Sequence, residues 1–136
     1  MSPTTRGTER LAGVLVQCIT LAHLNLSHND IRAGGAQSLA GALGQCAALA
    51  HLNLGDNQIG PAGTESLAGV LAQCAALAHL DLSRNDVKDA GAESIAGVLG
   101  QCASLTHLNL GGNGMEAVGE GRLRASWRGE TSGLLL

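Results

Sequence analysis

One interval governs this chain. Cys18, Cys46, Cys74 and Cys102 lie 28 residues apart, and His23, His51, His79 and His107 keep the same spacing. Asn29, Asn57, Asn85 and Asn113 follow it, as do Gly35, Gly63, Gly91 and Gly119. Residues 39–66 and 67–94 are identical at 18 of 28 positions. A unit of this length cannot bury an apolar face alone, so copies must stack against one another. The units run over 11–38, 39–66, 67–94 and 95–122.

Each unit carries Leu-x-x-Leu-x-Leu-x-x-Asn-x-apolar. The residues are Leu21, Leu24, Leu26, Asn29 and Ile31 in the first, and Leu49, Leu52, Leu54, Asn57 and Ile59 in the second. They are Leu77, Leu80, Leu82, Asn85 and Val87 in the third, then Leu105, Leu108, Leu110, Asn113 and Met115. The alternation in His23-Leu24-Asn25-Leu26 has period two and predicts a half-buried strand. Ala36, Leu39, Ala40 and Leu43 share one helical face. Strands are therefore expected at 23–26, 51–54, 79–82 and 107–110, each followed by a helix. Strands stack at about 4.8 Å and helices at about 8–10 Å, so the array must curve with its strands inside.

This motif, recurring four times in register, resembles the leucine-rich repeat family over residues 11–122. The 28-residue length resembles the ribonuclease-inhibitor-like subclass. Asn in all four units, with no Cys alternating at that position, is closest to NOD-like receptor repeats. The resemblance implies an α/β leucine-rich repeat solenoid, a curved horseshoe segment with parallel strands on the concave face and helices on the convex face. It implies a non-catalytic protein–protein interaction scaffold related to innate-immune receptor repeats. The alternative it carries is a regulator of an enzyme, either a GTPase activator or a ribonuclease-inhibitor-like protein.

The ends read differently. Residues 1–10 are polar and read as a flexible N-terminal arm, leaving the first strand edge bare and open to self-association. Residues 123–136 keep the phase, but Cys102 is followed one unit later by Glu130, and Ala96 by Arg124. They read as a degraded fifth repeat acting as a C-terminal cap, with Trp127 over the last apolar layer. Gly13, Gly41, Gly69 and Gly97 recur inside the helices, where each costs about 1 kcal/mol relative to Ala. Their phase suggests close helix packing between coils.

Composition narrows the function. The net charge is -3, and the chain has one Trp, no Tyr and no Phe. That argues against nucleic acid, which calls for a basic stripe or aromatic platforms. No apolar run approaches the about 18 residues of a membrane span. The first residues lack the apolar core of a secretory signal. A reducing, cytoplasmic setting is expected, and Asn25-Leu26-Ser27 is then an accidental glycosylation match. No nucleophile sits beside a base in a local motif and no phosphate-binding loop is present, so no enzyme and no cofactor are expected. The Cys spacing does not fit zinc, which favours close pairs, so no metal is assigned.

The partner-binding candidates lie on the concave face. His23, His51, His79 and His107 occupy an outward strand position, flanked by Asn25, Asn53, Asp81 and Asn109. Beyond them His28, Asp56 and Arg84 differ at one equivalent position, as a ligand-reading column would. The imidazole row is expected to titrate broadly because neighbouring charges repel, with Asp81 favouring a protonated His79.

Overall fold

A computed structural model describes residues 3–15 and 20–136. In each unit the His-Leu-x tripeptide forms a short strand, turning Leu inward and its neighbours outward. The strands are β1 (His23–Asn25), β2 (His51–Asn53), β3 (His79–Asp81) and β4 (His107–Asn109). All pair in parallel in sequence order, with His23 opposite His51, His51 opposite His79 and His79 opposite His107. The helices are α1 (Pro3–Leu15), α2 (Arg32–Leu43), α3 (Gly60–Leu71), α4 (Lys88–Ala96) and α5 (Ala117–Ser126). A short strand β5 (Leu134–Leu135) pairs with β4 and completes a five-stranded sheet. The strands are one residue shorter than expected, although the ladder runs on: Leu26 N–H donates to Asn53 O at 2.8 Å.

The core fills the space between the sheet and the helix layer. Leu52, Leu80 and Leu108 point inward from the strands, and Leu54, Leu82 and Leu110 lie beneath the loops that follow. Ala36, Leu39, Ala40 and Leu43 of α2 are all buried, as their helical spacing requires. The Asn column fastens one coil to the next. Asn85 Oδ1 accepts from Asn57 N–H at 2.8 Å and Ile59 N–H at 3.3 Å. Its Nδ2 donates to Leu54 O and Leu82 O at 2.8 and 3.1 Å. Asn57 and Asn113 repeat the pattern. The amide satisfies the buried N–H groups that turn away from the strand ladder.

The chain at the N-terminus differs from the expected arm. From Pro3 onward it is α1, which packs on α2. Thr8, Leu11 and Ala12 stand one coil before Ala36, Leu39 and Ala40, and Thr8 and Ala12 are buried. The helix layer is therefore covered at this end while β1 remains the sheet edge. At the other end Trp127 packs against the core, and its indole N–H donates to Glu130 O at 2.8 Å. Cys18, the first of its column, lies outside the described residues.

The glycine reading is corrected. Gly13, Gly41 and Gly69 face solvent, with open space where a Cβ would stand, and Gly97 is exposed too. The close contacts fall at Gly35, Gly63, Gly91 and Gly119. A Cβ on Gly63 would lie 3.1 Å from Ala33 Cα and 3.1 Å from Ala36 Cβ of the neighbouring helix. The reason is helical phase: Gly35 lies four residues before Leu39 and shares its buried face, whereas Gly41 lies two residues beyond it, on the opposite side. Gly41→Ala and Gly69→Ala are each expected to stabilise by about 0.4–1 kcal/mol, whereas Gly63→Ala should destabilise by about 1–3 kcal/mol through overpacking. Urea denaturation of the three variants checks both signs.

Loop backbones also repeat. His28, Asp56 and Arg84 adopt left-handed geometry at φ 58°, 57° and 54°, and Gly112 continues the column at 69°. A non-glycine residue there costs about 1–2 kcal/mol. The conformation is held by bonds between coils: the N–H groups of His28, Asp56 and Arg84 reach Gly55 O, Ser83 O and Gly111 O at 2.8–3.0 Å.

Candidate functional site

The parallel register turns a sequence interval into a surface. His23, His51, His79 and His107 form one continuous stack, with ring centroids 4.3, 4.3 and 4.2 Å apart and planes within 10–15° of parallel. The end rings are exposed and the two inner rings half-buried. The stack lines a groove of about 500 Å³ that ends at Ser132, Gly133 and Leu135. Face-to-face rings direct their nitrogen lone pairs side by side rather than toward a common point. That geometry does not converge on a single metal ion, and no cluster of metal-ligating side chains occurs among the described residues.

The second row is Asn25, Asn53, Asp81 and Asn109. Each turns one oxygen back on its own chain. Asn25 Oδ1 accepts from Ser27 N–H, Asn53 Oδ1 from Gly55 N–H and Asn109 Oδ1 from Gly111 N–H, all at 2.9–3.0 Å. Asp81 Oδ1 accepts from Ser83 N–H at 2.8 Å and Ser83 Oγ–H at 2.6 Å. These side chains close the strand ends and line the groove. The expectation that Asp81 acts on His79 is corrected: the carboxylate is committed to Ser83.

His79 instead holds its proton less tightly than an ordinary imidazole of pKa 6.5, first through burial and then through repulsion from His107 and His51. An unfolded chain then binds a proton that the folded chain resists, so this group removes stability progressively as pH falls through about 6.5 and leaves it untouched well above that. The melting temperature is expected to drop between about pH 7.5 and 5.5. His79→Asn should flatten that slope relative to the parent.

A polar trough of about 520 Å³ adjoins the groove, lined by Ser27, Asp56, Ser83, Arg84 and Gly112 among others. His28 Nδ1 and Asp56 Oδ2 meet across it at 3.1 Å. Both side chains are largely exposed, so the pair contributes little to stability. The Arg84 side chain lies over Gly112, where a Cβ would stand 3.1 Å from Arg84 Cγ. All eleven candidate residues thus fall on one face in three adjacent rows. Sequence reasoning missed Ser132, Gly133 and Leu135, which close the groove from beyond the fourth unit. Leu136 falling in phase with Leu108 pointed to that segment, but β5 is set two residues earlier, with Leu134 opposite Leu108.

The cysteines stand apart from this face. Cys46 and Cys74 are buried between helix and strand, and Cys102 is half-buried. Burial, with lesser contributions from Cys46 and Cys102, pushes the Cys74 thiol up to about 11. It stays protonated, so it is not a nucleophile.

No helix among the described residues is long and apolar enough to cross a membrane. No curated protein matches the chain. A solved structure of the leiomodin-1 actin-binding site 2 superposes with a TM-score of 0.76 at 17% identity, covering 93% of this chain and 73% of that one. The likeness is one of fold. The sequence model described as "Leucine Rich repeat" matches residues 17–40, 45–68, 73–96 and 101–119. With the parallel sheet, the helix in every coil and the Asn ladder, that places the chain in the leucine-rich repeat family.

Proposed function

We propose that the chain is a non-catalytic scaffold of the NOD-like receptor type, holding a cytoplasmic protein partner across its concave face. One observation carries the reading. The face presents a regular floor, the imidazole stack and the strand-end amides, beside a column that breaks the repeat with His28, Asp56, Arg84 and Gly112. A constant floor sets the register of a bound chain, and the varying column distinguishes one partner from another. The neighbour named as an actin-binding site supports a protein partner in general terms. A photo-reactive residue at position 53, on the concave face, should capture a defined partner from lysate. The same residue at exposed position 69, on the outer helix face, should not. Equal capture at both positions overturns the reading.

A second interaction rests on the sheet edge. Asn53 O and Asn57 O receive N–H bonds from the preceding coil, but Asn25 O and Asn29 O receive no such bond from the described residues. Asn29 Oδ1 likewise accepts nothing from them, and a cavity of about 240 Å³ lined by Leu11, Leu26, Asn29 and Ile31 opens there. Self-association through this edge is therefore expected at high concentration. Sedimentation should show mass rising with concentration, and a constant monomer mass excludes it.

A further inference from the structure

The imidazole stack has a vacant rung. Each ring rests on the next at 4.2–4.3 Å, but β5 aligns Leu134 with Leu108. The place beside His107 therefore falls to Gly133, which carries no side chain. A Cβ on Gly133 would in any case overlap the Thr106 carbonyl oxygen. His107 is exposed where His51 and His79 are half-buried, so the outer face of its ring is open. The groove ends at this point, over Ser132 and Gly133 and beside Leu135, one of the few exposed large apolar side chains, at 55%.

The sequence departs from its template at the same place. Ala22, Ala50 and Ala78 precede the first three histidines, and Thr106 precedes the fourth. Thr106 Oγ1 lies 3.2 Å from Ala78 O and 2.9 Å from His107 Nδ1. Which of the two groups donates depends on the imidazole tautomer, and in either case the contact ties the plane of the terminal ring to the Thr106 side chain. The ring forming the wall of the vacant rung is therefore held still by a residue that the other three lack.

We infer that this rung is a binding slot for a planar aromatic side chain, of the tryptophan type, supplied by the partner protein. A flat ring face favours another flat ring in offset contact over an aliphatic group. The chain has no phenyl ring and no free indole to offer. It contains no Phe and no Tyr, and Trp127 is packed against the core with its N–H bonded to Glu130 O. The N-terminal end of the stack makes no equivalent slot, because among the described residues no strand lies beyond β1 to floor it. The inference deepens the concave-face reading and rests on it.

The probe is N-acetyl-tryptophanamide, titrated into the full chain while the histidine ring protons are followed by NMR. Upfield ring-current shifts are expected at His107, weaker at His79 and absent at His23. N-acetyl-leucinamide should leave all of them in place. Thr106→Ala restores the residue used in the other coils and should fold normally, yet weaken the response. His107→Ala should abolish the response while the stacked signals of His23 and His51 persist. Equal shifts at His23 and His107, or equal shifts with the leucine probe, overturn the slot. Its failure is separable from failure of the scaffold reading: capture at position 53 without an indole response at His107 removes the slot alone, and an indole response without that capture removes the scaffold.

Discussion

Replacing Asn85 by Ala is expected to lower the unfolding free energy by about 2–6 kcal/mol. The figure follows from which groups lose their only partner. Leu54 O keeps Asn57 Nδ2, and Leu82 O keeps Asn113 Nδ2. Ser83 O keeps the Asp56 N–H. Among the described residues the N–H groups of Asn57 and Ile59 have no acceptor other than Asn85 Oδ1. Two buried donors are therefore orphaned, each costing about 1–3 kcal/mol. Asn29→Ala is the control. Among the described residues its amide serves only Leu26 O and Ser27 O, within its own coil, so the loss should stay near about 1 kcal/mol. Chemical denaturation of both variants measures the difference, and equal losses would contradict the ladder.

Leu80→Ala should cost about 2–5 kcal/mol, cavity included. Leu80 is 3% exposed and stands in register between Leu52 and Leu108. Neighbours on both sides are held by their own strands and cannot collapse into the space. Leu24, in the edge strand, is only half-buried, so Leu24→Ala should cost visibly less. Against a typical total of about 5–15 kcal/mol, the Leu80 change alone threatens the fold. A melting temperature unchanged in Leu80→Ala would remove that residue from the interior.

The repeat made much of this legible. A fixed interval dictates strand register, so the stacking of His51 on His79 follows from counting alone. The burial of Leu39 and Leu43 follows from helical period. Three features were harder to see. The helix over Pro3–Leu15 was obscured by the polar opening residues, although Thr8 matches Thr64 one coil pair later. The packing role of Gly63 and the idle position of Gly41 have the same periodicity and differ only in face. The left-handed backbones at His28, Asp56 and Arg84 have no local marker, because the bonds that impose them come from the next coil. Only Gly112 in the same column hinted at them. The vacant rung was invisible for another reason: it lies where the repeat stops, and periodicity says nothing about its own end.

The coil-to-coil bonding has a further consequence. Asn57 meets Asn85 through the same atoms by which Asn85 meets Asn113, so every internal junction presents the same connector. Excising residues 67–94 would join Ser66 to Ile95 and bring Asn57 against Asn113 with each hydrogen bond re-formed. The number of coils is therefore a quantised variable, free to change in steps of 28 residues without inventing a new joint. The length of the concave surface, and of the ring stack it carries, can be set independently of how the molecule holds together.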